Sequence, residues 1–176
     1  MAKAKKKAAK KTVVKKKAKK AVARPAVRKA APVATKSVPK FTATPAMEIM
    51  ATFVDRVGLT AKVAAALAAE NVNILAGTGY SASGPGQKAI FSLIVDDLAK
   101  AERALDRIGA EEIQDSSVIM VETENKVGAL ERIAKLISGA GIMIYYFYST
   151  TSTGKMASCV IRTADDRKAI KILQKG

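Results

Sequence analysis

One passage of this chain is written twice. DRVGLTAKVAAALAAENVNI begins at Asp55 and NKVGALERIAKLISGAGIMI begins at Asn125. At this single offset Val57 meets Val127, Gly58 meets Gly128, Val63 meets Ile133, Leu67 meets Ile137 and Ile74 meets Ile144. Each copy holds a polar residue and a glycine, then apolar positions at helical spacing, then a β-branched run. Leu59, Val63, Ala66 and Leu67 fall at i, i+4, i+7 and i+8, and Ala129, Ile133, Leu136 and Ile137 repeat the stripe. A pattern repeated at constant offset marks an internal duplication, so the chain must fold as two copies of one plan.

That plan is legible in the flanking residues. Glu48–Phe53 reads as a strand, the turn at 55–58 opens a helix to about Glu70, and Val72–Ala82 reads as a long strand. Ser83-Gly84-Pro85-Gly86 is turn chemistry before a strand at Ala89–Val95. Asp96 or Asp97 caps a second helix carrying Leu98, Ala101, Leu105 and Ile108, and a short strand near Glu111–Ile113 closes the unit. The second copy runs through a strand at Val118–Glu122, a helix from Gly128, strands at Ile142–Ser149 and Met156–Arg162, and a helix capped near Asp165. Each copy is βαββαβ, which gives an α+β fold of two ferredoxin-like units in tandem, helices on one face of each sheet. The chain ends soon after its last helix, so the final strand of the second copy is expected to be short or missing, which leaves an edge to be covered. The expected domains are 1–46, 47–115 and 116–176.

The strand, the Asp-x-x-Gly-x-(Leu) turn, the apolar helix and the following Asn-Ile strand resemble the ACT domain, standing here as DRVGL…ENVNI and NKVGAL…GIMI. The resemblance covers about residues 48–175 and is strongest to small stand-alone prokaryotic proteins with two ACT domains. The family commonly has proline where Val57 and Val127 stand. The resemblance implies a non-catalytic regulatory protein that binds an amino acid or similar small metabolite at an interface between domains; the apolar strand at Gly141–Tyr148 and the missing final strand add the expectation of packing between the copies or a homodimer. It implies ligand-binding roles for Asp55, Arg56, Val57, Gly58, Leu59, Asn73 and Ile74 in the first copy. In the second copy it implies them for Asn125, Lys126, Val127, Gly128, Ala129, Met143 and Ile144. The physics of the turns agrees: backbone N–H groups at a helix N-terminus favour a carboxylate, and Asp55 can receive an ammonium. Asp55 and Asn125 are equally readable as turn or cap residues. Asn125 is neutral where Asp55 is charged, so the two sites are not equivalent.

Charge is distributed very unevenly. Residues 1–47 carry sixteen Lys or Arg and no acid, whereas the remainder has fifteen of each sign. Ala, Lys and Val with Pro25, Pro32, Pro39 and Pro45 make residues 1–46 an expected disordered tail. Its composition resembles the lysine- and alanine-rich tails of linker histones and bacterial histone-like proteins. Lys5, Lys6, Lys7, Lys10, Lys11, Lys15, Lys16, Lys17, Lys19 and Lys20 are candidate contacts to nucleic-acid phosphates, without sequence readout. A nucleoid-associated or scaffolding protein is therefore the alternative function, the ACT pair only dimerising.

With no histidine and a single cysteine, Cys159, the chain excludes Cys/His zinc sites, CxxC redox pairs, an internal disulfide and any His-dependent triad. No clustered carboxylate or lysine suggests acid–base catalysis, and no cofactor or metal is implied. No apolar run reaches the ~18 residues of a membrane span, so the chain reads as soluble and cytoplasmic. The strand Gly141–Tyr148 is apolar on both parities, with Ile142, Ile144, Tyr146 and Tyr148 alternating with Met143, Tyr145 and Phe147. Helices cover one face only, so the other needs a packing partner.

Overall fold

The duplicated stripes form helices, and their apolar positions are the ones that disappear from solvent. Helix α1 (Leu59–Ala69) buries Leu59, Val63 and Leu67, and α3 (Ala129–Gly139) buries Ala129, Ile133 and Ile137. Both follow a glycine in the left-handed region, Gly58 at φ 85° and Gly128 at φ 89°, a conformation that a Cβ would strain. Helices α2 (Leu98–Arg107) and α4 (Asp166–Leu173) begin differently. Asp97 accepts from the Lys100 N–H at 3.0 Å, and Asp165 accepts from the Lys168 N–H at 2.9 Å. The second acid of the first pair and the first of the second pair are thus the caps.

The computed structural model describes residues 40–81, 86–151 and 154–176, all within one unit, Thr35–Gly176. The Lys-rich segment, and with it every candidate phosphate contact from Lys5 to Lys20, lies outside the described residues, as does the turn at Ser83–Pro85. The strands are β1 (Thr42–Val54), β2 (Ile74–Ser81), β3 (Lys88–Val95), β4 (Glu112–Glu124), β5 (Ile144–Thr151) and β6 (Met156–Thr163). They form a six-stranded antiparallel sheet in the order β2-β3-β1-β4-β6-β5. With the four helices this makes an α+β fold. Among the described residues no helix is long and apolar enough to cross a membrane.

Two strands are much longer than their sequence suggests. β1 begins at Thr42, not near Glu48, and β4 runs unbroken through 115–117, where the two units were expected to separate. Thr42–Thr52 pairs with Glu112–Glu122 along its full length. Only residues 49–54 of β1 have β3 on the other side, and only residues 119–124 of β4 have β6. Each long strand therefore serves one half of the sheet with its first part and the other half with its second. The strand that seemed missing from the end of the chain comes from Thr42–Met47, all but its last residue expected to belong to the tail. Pro45 is tolerated there because, among the described residues, one side of that half-strand carries no paired strand.

Two helix-side cores follow from this exchange. Ile49, Ala51 and Phe53 pack with Phe91, Leu93, α1 and α2. Phe41, just before the same strand, and Ala43, near its beginning, pack with Ile119, Val121, Ile161, α3 and α4. Arg132 stands over the Phe41 ring at 4.9 Å, and Gln174 Nε2 donates to the Ala43 carbonyl at 3.1 Å. The opposite face holds a small cluster of Ile94, Val118 and Val160, with Met120 and Tyr148 against it.

That opposite face also buries a charge. Glu48 on β1 has 0% exposure, and both its oxygens accept phenol hydrogens: Tyr146 donates to Oε2, and Tyr148 donates to Oε1 at 2.9 Å. At a strand spacing of ~4.8 Å, β5 lies roughly 14 Å from β1, so the two rings reach across β6 and β4. A register shift between Ile144 and Tyr146 breaks the simple alternation expected for this strand. It turns Ile144 toward the α3–α4 core while Tyr146 and Tyr148 reach Glu48. Met143, Tyr145 and Phe147 stay exposed on this chain.

Candidate functional site

A concavity lies at each duplicated turn, in the same place relative to the repeat. The first, of about 200 Å³, is bounded by Asp55, Arg56, Gly58, Leu59 and Thr60 on the turn and α1, and by Gly79–Ser81, Ala89 and Phe91 on β2 and β3. The second, of about 190 Å³, is bounded by Asn125, Lys126, Ala129, Leu130 and Ile133, by Ser149–Thr151 on β5, by Ala157–Cys159 on β6 and by Thr123 on β4.

Matching hydrogen bonds hold the two turns. The Asp55 N–H donates to the Gln87 carbonyl at 2.6 Å, and the Asn125 N–H donates to the Lys155 carbonyl at 2.8 Å. In the first turn of each helix, Leu59 and Ala129 donate back to Arg56 and Lys126, and Lys62 and Arg132 donate to Gly58 and Gly128. The geometry of an α-helix leaves the N–H groups of Thr60 and Ala61, and of Leu130 and Glu131, without an acceptor further back in their own helix. Among the described residues neither N-cap glycine makes a side-chain cap bond. Asp55 and Asn125 are thus not the helix caps, and their side chains border the cavities instead.

The cavities differ electrostatically. α1 has no acid in its first turn, and Asp55 brings a carboxylate to the rim. α3 carries Glu131 in its first turn, 2.7 Å from Lys135, and the Lys126 ammonium at the rim lies 2.8 Å from Glu124. On the floor of the second cavity, burial pushes the Cys159 thiol up to about 11, so it stays protonated at neutral pH.

Not every candidate residue reaches a cavity. Asp55, Arg56, Gly58 and Leu59 border the first, and Asn125, Lys126 and Ala129 border the second. Val57 and Val127 point to solvent at 98% and 77% exposure, and Gly128 shapes the turn through its backbone. Asn73, Ile74, Met143 and Ile144 sit at the far end of their strands. β2 and β5 start beside the C-terminus of the preceding helix and run back along it, so their last residues, Gly79–Ser81 and Ser149–Thr151, arrive at the turn. Asn73 instead exchanges bonds with Asp96, its N–H donating to Oδ1 at 2.9 Å, and Met143 accepts from the Ala164 N–H at 2.9 Å. Ile144 lines a separate apolar groove of about 740 Å³ between α3 and β5, with Leu130, Tyr145 and Phe147.

Gly77 and Gly79, part of a Gly-Thr-Gly run, serve packing. A Cβ at Gly77 would meet Leu93 Cδ2 at 2.6 Å, and one at Gly79 would meet the Phe91 ring at 3.0 Å. Extending the duplication alignment to the strand ends brings Thr123, Gly79 and Ser149 into view as cavity-lining residues.

No family model matches this sequence, and no curated protein matches it. Crystal structures do. Protein BT0572 from Bacteroides thetaiotaomicron is similar at 27% identity and a TM-score of 0.67, over 76% of this chain and 89% of that one. The aspartokinase alpha and beta subunits are similar at 21% identity and a TM-score of 0.57, over 77% of this chain and 95% of that one. The regulatory subunit of aspartate kinase from Thermus thermophilus, in a ligand-free form, is similar at 17% identity and a TM-score of 0.57, with the same coverage. At such identities the kinase likeness establishes a shared fold, and it supports the ACT-type architecture that the sequence resembles.

Proposed function

We propose that this chain is a non-catalytic regulatory protein built of two ACT units that bind an amino acid at the turn cavities. The observation that carries this reading is the recurrence of one cavity at both turns, each formed by a helix N-terminus and the ends of two strands. Unpaired helix N–H groups suit an α-carboxylate, and the rim position held by Asp55 suits an α-ammonium. The regulatory role of the similar aspartate kinase subunit supports it. The two units are interleaved: residues 48–115 form one, and residues 117–176 with 41–47 form the other. Asp55→Ala is expected to weaken an amino-acid ligand roughly ten- to hundredfold, since a charged hydrogen bond contributes roughly 1.5–3 kcal/mol. Asn125→Ala should weaken it less. Calorimetry with each of the twenty amino acids checks this, and unchanged affinity in both variants would remove the turns from the site.

Self-association follows in the same reading. β5 is an edge strand with Tyr145 at 62% and Phe147 at 51% exposure, a surface suited to a second copy. Light scattering should give the mass of a dimer, and a monomeric mass at micromolar protein would refute it.

The charge of residues 1–47 favours an additional role, non-specific contact with nucleic acid. The full chain is expected to retard duplex DNA of any sequence. With eight phosphates engaged, fourfold more salt should cost roughly four orders of magnitude in affinity. Equal binding by residues 35–176 would move the contact off the basic segment.

A further inference from the structure

The two turn cavities share a plan but not a floor. The first is lined by Phe91, which stands edge to face with the core residue Phe53, centroids 5.9 Å apart and planes at 83°. Gly79 pairs opposite Phe91, and its missing Cβ leaves room for that ring. In the second, the sheet register puts Thr123 where Phe53 stands, opposite Ala157 as Phe53 is opposite Ala89. It puts Cys159 where Phe91 stands, opposite Val121 as Phe91 is opposite Ala51. Ser149 pairs opposite Cys159, in the place of Gly79. Two aromatic rings and a glycine in one copy become a threonine, a cysteine and a serine in the other.

Thr123 is 3% exposed, and among the described residues its Oγ1 is the buried side-chain polar atom with no hydrogen-bond partner. Threonine here carries a cost that valine, of the same shape, would not. Its side chain borders the second cavity, beneath the N-terminus of the 11-residue helix α3. The hydroxyl can both donate and accept. Around it stand Ile133, Ala157, the Cys159 thiol and Ser149, none of them charged, while the Lys126 ammonium is held at the rim by Glu124. An ionised side chain reaching this floor would lose its water without meeting a counter-charge.

We infer that the second cavity takes a small α-amino acid whose side chain ends in a neutral hydrogen-bonding group, and that the Thr123 hydroxyl selects it; this rests on the amino-acid reading proposed above. The first cavity, floored by Phe91, makes no such selection. The two sites then read different properties of an amino-acid pool: one reads the shared backbone groups alone, and the other reads those groups and a side-chain hydroxyl or amide.

Isosteric ligand pairs test this on the full chain. By calorimetry, L-threonine is expected to bind the second site about tenfold or more tightly than L-valine, and L-serine more tightly than L-alanine. Thr123→Val should erase both preferences and raise the melting midpoint of the ligand-free protein, because the orphan hydroxyl is gone. Thr123→Ser, which retains the hydroxyl, should keep the preferences. If L-threonine and L-valine bind the wild-type chain equally, or if the preference survives Thr123→Val, the Thr123 hydroxyl does not select the ligand. The inference then fails while the amino-acid reading stands. If no amino acid binds wild-type protein, both fail.

Discussion

A chain beginning at Glu48 will lose the folded state of its second half, whereas one beginning at Thr35 will keep it. The difference is a handful of residues that carry little apparent structural information, and the effect follows from where they go. Removing Thr42–Met47 strips the pairing partner from residues 117–122 of β4 and opens an unpaired edge in mid-sheet. It also removes Phe41 and Ala43, 8% and 1% exposed, from the core that holds Ile119, Ile137 and Leu173. Losing one buried aromatic side chain alone costs about 3–5 kcal/mol. Domains of this size are stable by only about 5–15 kcal/mol, so the loss of a ring together with a strand exceeds what half a sheet can withstand. Amide exchange should show β5 and β6 unprotected in the shorter chain, with β2 and β3 retaining protection. Urea midpoints equal for the two chains would show that the second half folds without this strand.

The same strand marks the limit of what the residues alone reveal. Helices α1 and α3 and their buried stripes are legible because two independent signals, period and duplication, coincide at Leu59, Val63, Ile133 and Ile137. Strand pairing between distant segments has no such local signature. Phe41-Thr-Ala-Thr-Pro45 has the composition of a linker, and Asp115-Ser-Ser117 has that of a boundary. Both are continuous strand because each is held by the other along Thr42–Thr52 and Glu112–Glu122. The turns that border the cavities were readable, Gly58 and Gly128 most clearly, since positive φ favours glycine. Asn73 and Met143 lie away from the cavities, because a motif in sequence lacks the antiparallel return that brings Gly79–Ser81 and Ser149–Thr151 to the helix N-termini. Glu48 gave no sign at all. A glutamate at the start of an apolar strand looks like a solvated end, and its partners Tyr146 and Tyr148 lie about a hundred residues away.

Replacing both of those tyrosines by phenylalanine is expected to cost about 3–5 kcal/mol, the penalty for leaving a buried carboxylate without donors. Glu48 has no exposure, and its two oxygens face the two phenols, so neither hydroxyl is redundant. Tyr148→Phe alone should cost about 1.5–3 kcal/mol, the range for a hydrogen bond to a charged group. Adding Glu48→Gln to the double variant should recover part of the loss, because a neutral amide tolerates burial that a carboxylate does not. The pH dependence gives a second reading of the same cluster. Burial first, then the hydrogen bond and charge of Glu48, push the Tyr146 phenol up to about 12, with the nearby Arg162 opposing. Tyr148 is raised in the same direction by burial and by Glu48. A phenol whose folded pKa exceeds its unfolded value of about 10 holds its proton longer when folded. Stability is therefore intact below pH ~10 and falls as the pH rises from there through about 12. The buried Cys159 thiol, raised to about 11, adds a fall of the same sign beginning about one unit lower. Urea titrations across this window should show a steep alkaline loss in the wild-type chain and a shallower one in the double phenylalanine variant. If the two slopes coincide, the tyrosines titrate alike in the folded and unfolded states, and the β1–β5 tether through Glu48 is not holding the sheet.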